Sequence, residues 1–423
     1  MSRVFTALAL ASLSVQLPSV GAAQFEDPAT GQTLTALLAY ADRSSPELAV
    51  AEARLGEAEV ARASADPLLP ANPQIQAQLG QRRVGDQGDL DLQVGIRQQI
   101  EIGGQRRRRR TVANRSEERW SAEREVVRQD VHRRVRTAFR RTVVAEARVE
   151  LAAALVAQQA HVVTVATRRA EIGEGSPMDA QLAAVEHLRA RQAEVAAVAE
   201  ARSRRWELGA LIGWDRPEPP RPAATLDAPP ALPPLARLLD HLDAQPRLVV
   251  ARARAAEAEA RELLARRDVL PDPIVGVQLT AEGAPAGGQR EWVLAGTLQL
   301  PLPLWQRNQP ARARATTDRS IAEAEARAWE QRLAPRVRQL TAMASGARDR
   351  AALVATELVP ALDEATTKLD RAFELGEIDL LALLAARERL LRARVEVLDA
   401  HQAYVNAVAA LETILGASLE DLR

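Results

Sequence analysis

Asp89-Leu90-Asp91-Leu92-Gln93-Val94-Gly95-Ile96-Arg97-Gln98-Gln99-Ile100-Glu101-Ile102 alternates apolar and polar residues almost without a break. Leu90, Leu92, Val94, Ile96, Ile100 and Ile102 fall on one side; Asp89, Asp91, Gln93, Arg97, Gln99 and Glu101 fall on the other. Strand side chains point to opposite faces in turn, so this period predicts a strand with one apolar and one polar face. Its length suits a tilted membrane strand, which needs about 9–11 residues.

Three more runs share the pattern. In 74–79, Gln74, Gln76 and Gln78 alternate with Ile75, Ala77 and Leu79. In 291–302, Trp292, Leu294, Leu298, Leu300 and Leu302 oppose Glu291, Thr297 and Gln299; the run at 274–280 is weaker. Gly85-Asp86-Gln87-Gly88 and the stretch from Gly283 to Gly288 have the glycine-rich, polar character of hairpin turns.

These runs come in two pairs because the chain repeats itself at a spacing of about 200 residues. Pro46 and Leu48 match Pro246 and Leu248, and Arg54, Glu57, Ala58 and Glu59 match Arg254, Glu257, Ala258 and Glu259. Pro73, Gln78 and Leu79 match Pro273, Gln278 and Leu279, and Gln99 matches Gln299. Further on the spacing lengthens slightly: Glu171, Gly173 and Glu174 match Glu374, Gly376 and Glu377, and Gly213 matches Gly416. Residues 214–235 join the halves, and eight of these 22 residues are proline, which predicts an extended linker. The expected plan is a first repeat over 24–213, with strands at about 73–102 and a hairpin tip near 171–177. A second repeat over 236–423 has strands at about 273–302 and a tip near 374–379. Each opens with a helix, at about 33–66 and 236–269.

Long helices follow each strand pair. From Gln105 to Ala170 there is no proline or glycine, and a helix of that length spans roughly 100 Å. Positions 135, 138, 142, 145, 149, 152, 156, 159, 163, 166 and 170 form a heptad seam of valine and alanine, with Thr142 and Gln159 as exceptions. A 3.5-residue period with small seam residues predicts close, coiled-coil packing. Leu384, Leu391, Leu398 and Val405 recur every seven residues in the last helix.

Composition removes several functions. The chain has 423 residues and no cysteine, so disulfides, thiolate metal sites and cysteine nucleophiles are excluded. Basic and acidic residues balance at 56 each, against nucleic-acid binding. The five histidines, His132, His161, His187, His241 and His401, include no pair at helical metal-ligand spacing. There is no phosphate loop and no nucleophile elbow. The expectation is no enzyme, no cofactor and no metal site. At the N-terminus, Arg3, the apolar stretch Val4 to Val15 and Gly21-Ala22-Ala23 predict an export signal over 1–23. No later stretch is expected to cross a membrane as a helix.

An exported chain with four amphipathic strands cannot span a bilayer alone, because open sheet edges leave backbone groups unpaired in lipid. Closed membrane barrels begin at about eight strands, so the chain must oligomerise. The apolar face would meet lipid. Gln74, Gln76, Gln78, Asp91, Gln93, Arg97, Gln99 and Gln299 would line the lumen.

The duplicated helix–strand–strand–helix–helix plan resembles the TolC family of outer-membrane efflux proteins. Gln98-Gln99-Ile100-Glu101-Ile102-Gly103-Gly104-Gln105-Arg106 is similar to the strand-to-helix junction of its heavy-metal (cobalt-zinc-cadmium) resistance members. Ile172-Gly173-Glu174 and Leu375-Gly376-Glu377 resemble the family's periplasmic tip motif. The resemblance implies a fold that is mainly α with a membrane β-barrel. Long helical hairpins form an α-barrel, and four strands per chain build a 12-stranded barrel in a homotrimer. It implies an outer-membrane exit duct served by a periplasmic adaptor (a membrane fusion protein) and an inner-membrane pump of RND type. Ile172, Gly173, Glu174, Leu375, Gly376 and Glu377 would be the adaptor-docking tips. Where some members carry acidic gate residues this chain reads Ala382 and Ala385; Glu377 and Asp379 close by are the candidate entrance charges, with solvated tip charges as the alternative.

The run Arg106, Arg107, Arg108, Arg109 and Arg110 opens a helix, where the dipole disfavours positive charge. Lipid phosphates at the periplasmic face would offset that, and a solvated arginine surface is the alternative. A periplasmic coiled-coil adaptor predicts one hairpin between β domains, and a structural coiled coil leaves the alternating runs unexplained. The duct reading predicts recovery in the membrane fraction. Release to the soluble fraction without detergent would sink it.

Overall fold

The computed structural model describes residues 31–84, 87–226, 229–282 and 291–423. The expected signal at 1–23, Gly85 and Asp86 of the first strand-hairpin tip and the whole of the second tip lie outside these; Gln87 and Gly88, expected in the turn, begin the second strand. The four strands form one antiparallel sheet in the order β1 (Gln74–Val84), β2 (Gln87–Gln99), β3 (Ile274–Glu282) and β4 (Glu291–Gln299). The middle pairing, β2 with β3, joins the two halves. β1 and β4 are the edges.

The register lines up faces across all four strands. Ile75, Ile96, Val277 and Gly296 form one row; Ala77, Val94, Leu279 and Leu294 form the next. This apolar side is turned out: Ile75 is 79% exposed and Leu294 72%. A sheet folding for water alone would bury it. The polar side is the more sheltered on β2 and β3, with Asp91, Gln93, Arg97 and Gln278 half-buried.

The strands differ from expectation at their ends. β1 runs on to Val84, whereas Ile100, Ile102, Leu300 and Leu302 lie beyond the strands. After β4, Pro301 and Pro303 lack the amide donors a strand needs. After β2, Glu101 turns back to accept a hydrogen bond from the Arg106 amide at 3.0 Å, so the chain has already entered the helix junction.

α4 (Gln105–Glu171) is a single 67-residue helix, and α5 (Pro177–Ile212) returns antiparallel beside it. None of the eleven seam positions from Val135 to Ala170 is exposed. One 18-residue window of α4 is apolar enough to cross a bilayer, which corrects the expectation that no later stretch is. Its apolarity comes from the valine and alanine of the seam and their neighbours, and α4 packs lengthwise against α5.

The second half builds its hairpin from α8 (Gln309–Leu353), α9 (Val359–Glu374) and α10 (Leu380–Leu415). Leu37, Val131, Val135, Ala138, Leu208 and Ile212 form the core of the first half; Leu238, Val337, Leu340, Ala344, Leu411 and Leu415 form that of the second. The buried positions fix the correspondence of the long helices. Ala113, Val131, Val135, Ala138 and Thr142 fall on Ala315, Leu333, Val337, Leu340 and Ala344. Beyond a π-turn at Val354–Leu358 one further residue separates the halves, so Gln159 falls on Leu362. The π-turn absorbs that extra residue and keeps the seam on one face. It ends just before Pro360, which has no amide to give a regular helix at that point.

The opening helices are broken where single helices were expected. The first is α1 (Leu34–Ser44), α2 (Pro46–Ala53) and α3 (Gly56–Ala65). The second is α6 (Leu235–Asp240), a 3₁₀ turn at His241–Ala244 and α7 (Pro246–Arg267). Pro46 and Pro246 force both breaks: each starts a new helix at its first position, and the preceding Ser45 and Gln245 are extended. The linker passes beside Gln32, whose amide donates to the Arg221 carbonyl at 2.6 Å. Tyr40 donates to Asp215 at 2.8 Å.

α1 is tied to α4 through Asp42, which accepts from Arg128 Nε at 3.2 Å and lies 2.7 Å from His132 Nε2. Burial pushes the Asp42 carboxyl up, but the hydrogen bonds from Arg128 and His132 outweigh it and hold it below the usual carboxylate range. A depressed carboxylate contributes stability above its unfolded value and loses it as pH falls through the folded one. The Asp42 contribution is therefore full near neutrality and lost in acid below about pH 4. Asp42→Asn should lower the melting temperature at pH 7 and bring it towards the parent's at pH 3, checked by circular dichroism.

Candidate functional site

Each hairpin turns at a left-handed glycine, Gly173 with φ 81° and Gly376 with φ 74°. That backbone region is open to glycine at no steric cost. Both turns close in the same way. Gly173 and Glu174 amides donate to Ala170 and Arg169 carbonyls at 3.3 and 2.9 Å; Gly376 and Glu377 amides donate to Phe373 and Ala372 at 3.1 and 2.9 Å. These bonds satisfy carbonyls that the helix end leaves free.

The returning helices are capped at matching positions. Ser176 caps α5 in a reciprocal box with Asp179, and Asp379 caps α10 by accepting from the Ala382 amide at 2.7 Å. The tips thus differ in sequence, Gly175-Ser176-Pro177 against Ile378-Asp379-Leu380, yet share one geometry. Asp379 has a structural task that its reading as an entrance charge did not anticipate. Glu377 is exposed.

Ile172, Gly173, Glu174, Leu375, Gly376 and Glu377 are all exposed, and a Cβ built on Gly173 would meet nothing within 4 Å. Ile172 and Leu375, 62% and 65% exposed, present apolar side chains beside bare glycine backbone. Behind them the two tips are packed together. Phe373, Leu380 and Leu383 share a core with Val162, Ala166 and Ala183. The Arg169 guanidinium lies 5.6 Å from the Phe373 ring centroid, and His161 Nε2 lies 3.1 Å from Glu374. The six tip residues therefore sit at one end of one paired structure.

Higher up, Arg387 is buried and donates to Asp370 at 2.5 Å, and Gln158 of α4 donates to the same carboxylate at 3.1 Å. Sequence reasoning missed this cross-hairpin link. The signal available was an arginine placed where Leu383 and Leu380 precede it at helical spacing on an apolar face.

In the sheet, Gln74 is opposite Arg97, Gln78 opposite Gln93, and Gln299 opposite Ile274, which also pairs with Gln99. Gln76 and Asp91 fall on the same face by strand alternation. Gln76, Gln93, Arg97, Gln278, Thr297 and Gln299 surround a hollow of about 150 Å³ on that side.

The arginine run is partly neutralised from within. Arg109 pairs with Glu101, Arg110 donates to Asp66 at 2.9 Å, and Arg106 donates to the Asp66 carbonyl at 2.9 Å. Glu101 and Asp66 thus offset much of the dipole cost assigned to lipid phosphates. Arg107 and Arg108 have no ion-pair partner among the described residues, and Arg107 is exposed. Among the described residues no cluster of three or more histidine and acidic side chains could hold a metal ion.

The family described as "Outer membrane efflux protein" matches residues 37–214 and again 239–417. The chain is 27% identical over 317 residues to the cobalt-zinc-cadmium resistance protein CzcC of Cupriavidus metallidurans, across 75% of each chain. Among solved structures it is similar in fold to CusC, with a TM-score of 0.72 at 15% identity over 92% of this chain and 94% of that one. The outer membrane protein VceC from Vibrio cholerae gives 0.69 at 18% identity over 91% and 96%.

Asp379 separates two roles. Asp379→Ala should cost about 1 kcal/mol through the lost cap, whereas Asp379→Asn keeps an acceptor and should stay close to the parent in a denaturant titration.

Proposed function

The chain belongs to the outer membrane efflux protein family, and from that premise we propose that it is the homotrimeric exit duct of a tripartite efflux system. The observation that carries the reading is the sheet: four strands with an apolar face turned outward and two open edges, at the end of helices about 100 Å long. Three copies supply twelve strands, which close the edges and set the apolar face against lipid. The helical hairpins extend into the periplasm as a tunnel.

Conduction is passive. Gln74, Gln76, Gln78, Asp91, Gln93, Arg97, Gln99 and Gln299 line the barrel with polar groups, so a hydrated solute passes without shedding its water. The tip residues Ile172, Gly173, Glu174, Leu375, Gly376 and Glu377 receive the helical hairpin of a periplasmic adaptor. Bare glycine backbone allows close approach there, and Ile172 and Leu375 add apolar contact. Glu377 and Asp379 place negative charge at the mouth. Arg107 and Arg108, left over after internal pairing, face lipid phosphates at the inner surface of the outer membrane. An inner-membrane pump of RND type supplies the energy. Divalent metal cations are the cargo we assign, supported by the relative named for cobalt, zinc and cadmium resistance. The adaptor reading is weaker, since it has no use for two hairpins and an outward apolar sheet.

Gly173→Trp with Gly376→Trp should abolish resistance in a strain lacking its own duct, while the trimer still forms in detergent. Unchanged resistance would remove the docking role.

A further inference from the structure

We propose that the proline-rich loop between β4 and α8 is a membrane-interface anchor. Trp305 and its leucine neighbours insert among the head groups and upper acyl chains of the phospholipid leaflet on the helix side of the sheet, and hold the chain at a fixed depth. This rests on the outer-membrane duct reading and deepens it.

The loop is an addition to the repeat. In both halves the strand is followed by two apolar residues with one between them, Ile100 and Ile102 in the first and Leu300 and Leu302 in the second. In both, the next helix is entered through a left-handed residue, Gly104 at φ 71° and Asn308 at φ 54°. Between those landmarks the first half has Gly103 alone, and the second has Pro303-Leu304-Trp305-Gln306-Arg307. The tryptophan comes with the added residues, so the shared plan of the two halves does not account for it.

The added loop is built rather than slack. The Leu304 amide donates to the Leu302 carbonyl at 2.9 Å. Gln309 clasps the loop from the start of α8: its Nε2 donates to the Trp305 carbonyl at 2.8 Å, and its Oε1 accepts from the Arg307 amide at 2.8 Å. Arg307 Nε donates to the Pro303 carbonyl at 3.3 Å, and Asn308 Nδ2 donates to the Ala265 carbonyl at 3.2 Å. Asn308 is the one non-glycine residue with positive φ among the described residues, a backbone region few side chains adopt. All this fixes the backbone and leaves the indole in the open. Trp305 is 82% exposed, beside Leu302 at 66% and Leu304 at 55%.

A loop held this firmly with its largest apolar side chain outside forgoes apolar burial in water. Three observations make lipid its cover. Leu300 and Leu302 carry the outward apolar series of Leu294 and Leu298 past the end of β4, so the loop adjoins the face that the duct reading sets against lipid. Arg307, Arg312 and Arg314 follow at once, all exposed and without an ion-pair partner among the described residues, and the first acidic residue of α8 is Asp318. Their complement is phosphate. Pro301 and Pro303 have no amide to leave unpaired, which suits the half-dry zone below the head groups. Tryptophan, with an apolar body and one N–H donor, is enriched at that boundary for the same reason.

The chain has no cysteine, so a single introduced thiol reports cleanly. Full-length protein carrying Leu304→Cys, labelled with a polarity-sensitive fluorophore, is reconstituted into vesicles of phosphatidylethanolamine and phosphatidylglycerol. Nitroxide high on the lipid acyl chain should quench this label several-fold more than nitroxide at the chain end. A label at Leu294→Cys, on the outward face of the sheet, should show the reverse order. Adding Trp305→Gln to Leu304→Cys should cut the quenching several-fold, whereas Trp305→Tyr should keep most of it. A Leu304→Cys label left unquenched while the Leu294→Cys label is quenched would put the loop in water or against another copy; it would overturn the anchor and leave the duct standing. Quenching that Trp305→Gln does not change would overturn the anchor too. Labels unquenched at both positions would overturn anchor and duct together.

Discussion

The outward apolar face of the four-stranded sheet is the constraint on which the rest of this molecule depends. Exposed Ile75, Leu79, Leu294 and Leu298 are costly in water, where each large apolar side chain forgoes about 1.5–3 kcal/mol of burial. In lipid that cost disappears, but the unpaired backbone of β1 and β4 becomes the expensive feature. Closing the sheet with further copies, as proposed, would solve both problems together. The β2–β3 pairing matters most within the chain, because it makes two hairpins from distant parts of the sequence into one sheet.

The helices carry that logic away from the sheet. The seam of α4 is largely valine and alanine, so neighbouring helices approach it closely and the chain gains length without a thick core. Duplication then supplies a second hairpin at little cost in new design. It is not perfect duplication. One extra residue in the second half would rotate every later side chain by about 100°, and the π-turn at Val354–Leu358 takes up that rotation locally. The tips therefore arrive side by side with equivalent glycines, despite different residues on either side of each turn.

Much of this was legible in the sequence. Strand faces followed from strict alternation, the repeat from paired residues, and the tip turns from Gly173 and Gly376. The breaks at Pro46 and Pro246 were available too; a proline within a run of helix formers should have ended the helix there. The partial compensation of the arginine run was not available, because Asp66 lies just past the end of α3 and reaches Arg110 only in the folded chain. Nor was the link from Gln158 through Asp370 to Arg387, whose members are more than 200 residues apart at their extremes.

By itself, then, the sequence determined periodicity: which residues share a strand face, where helices run and turn, and that the plan occurs twice. These are local properties, set by the geometry of one strand or one helix. The tertiary structure alone decided which side of the sheet faces out, which carboxylates answer which arginines, and where the spare residue is stored. Those depend on distances between segments that are remote in the chain.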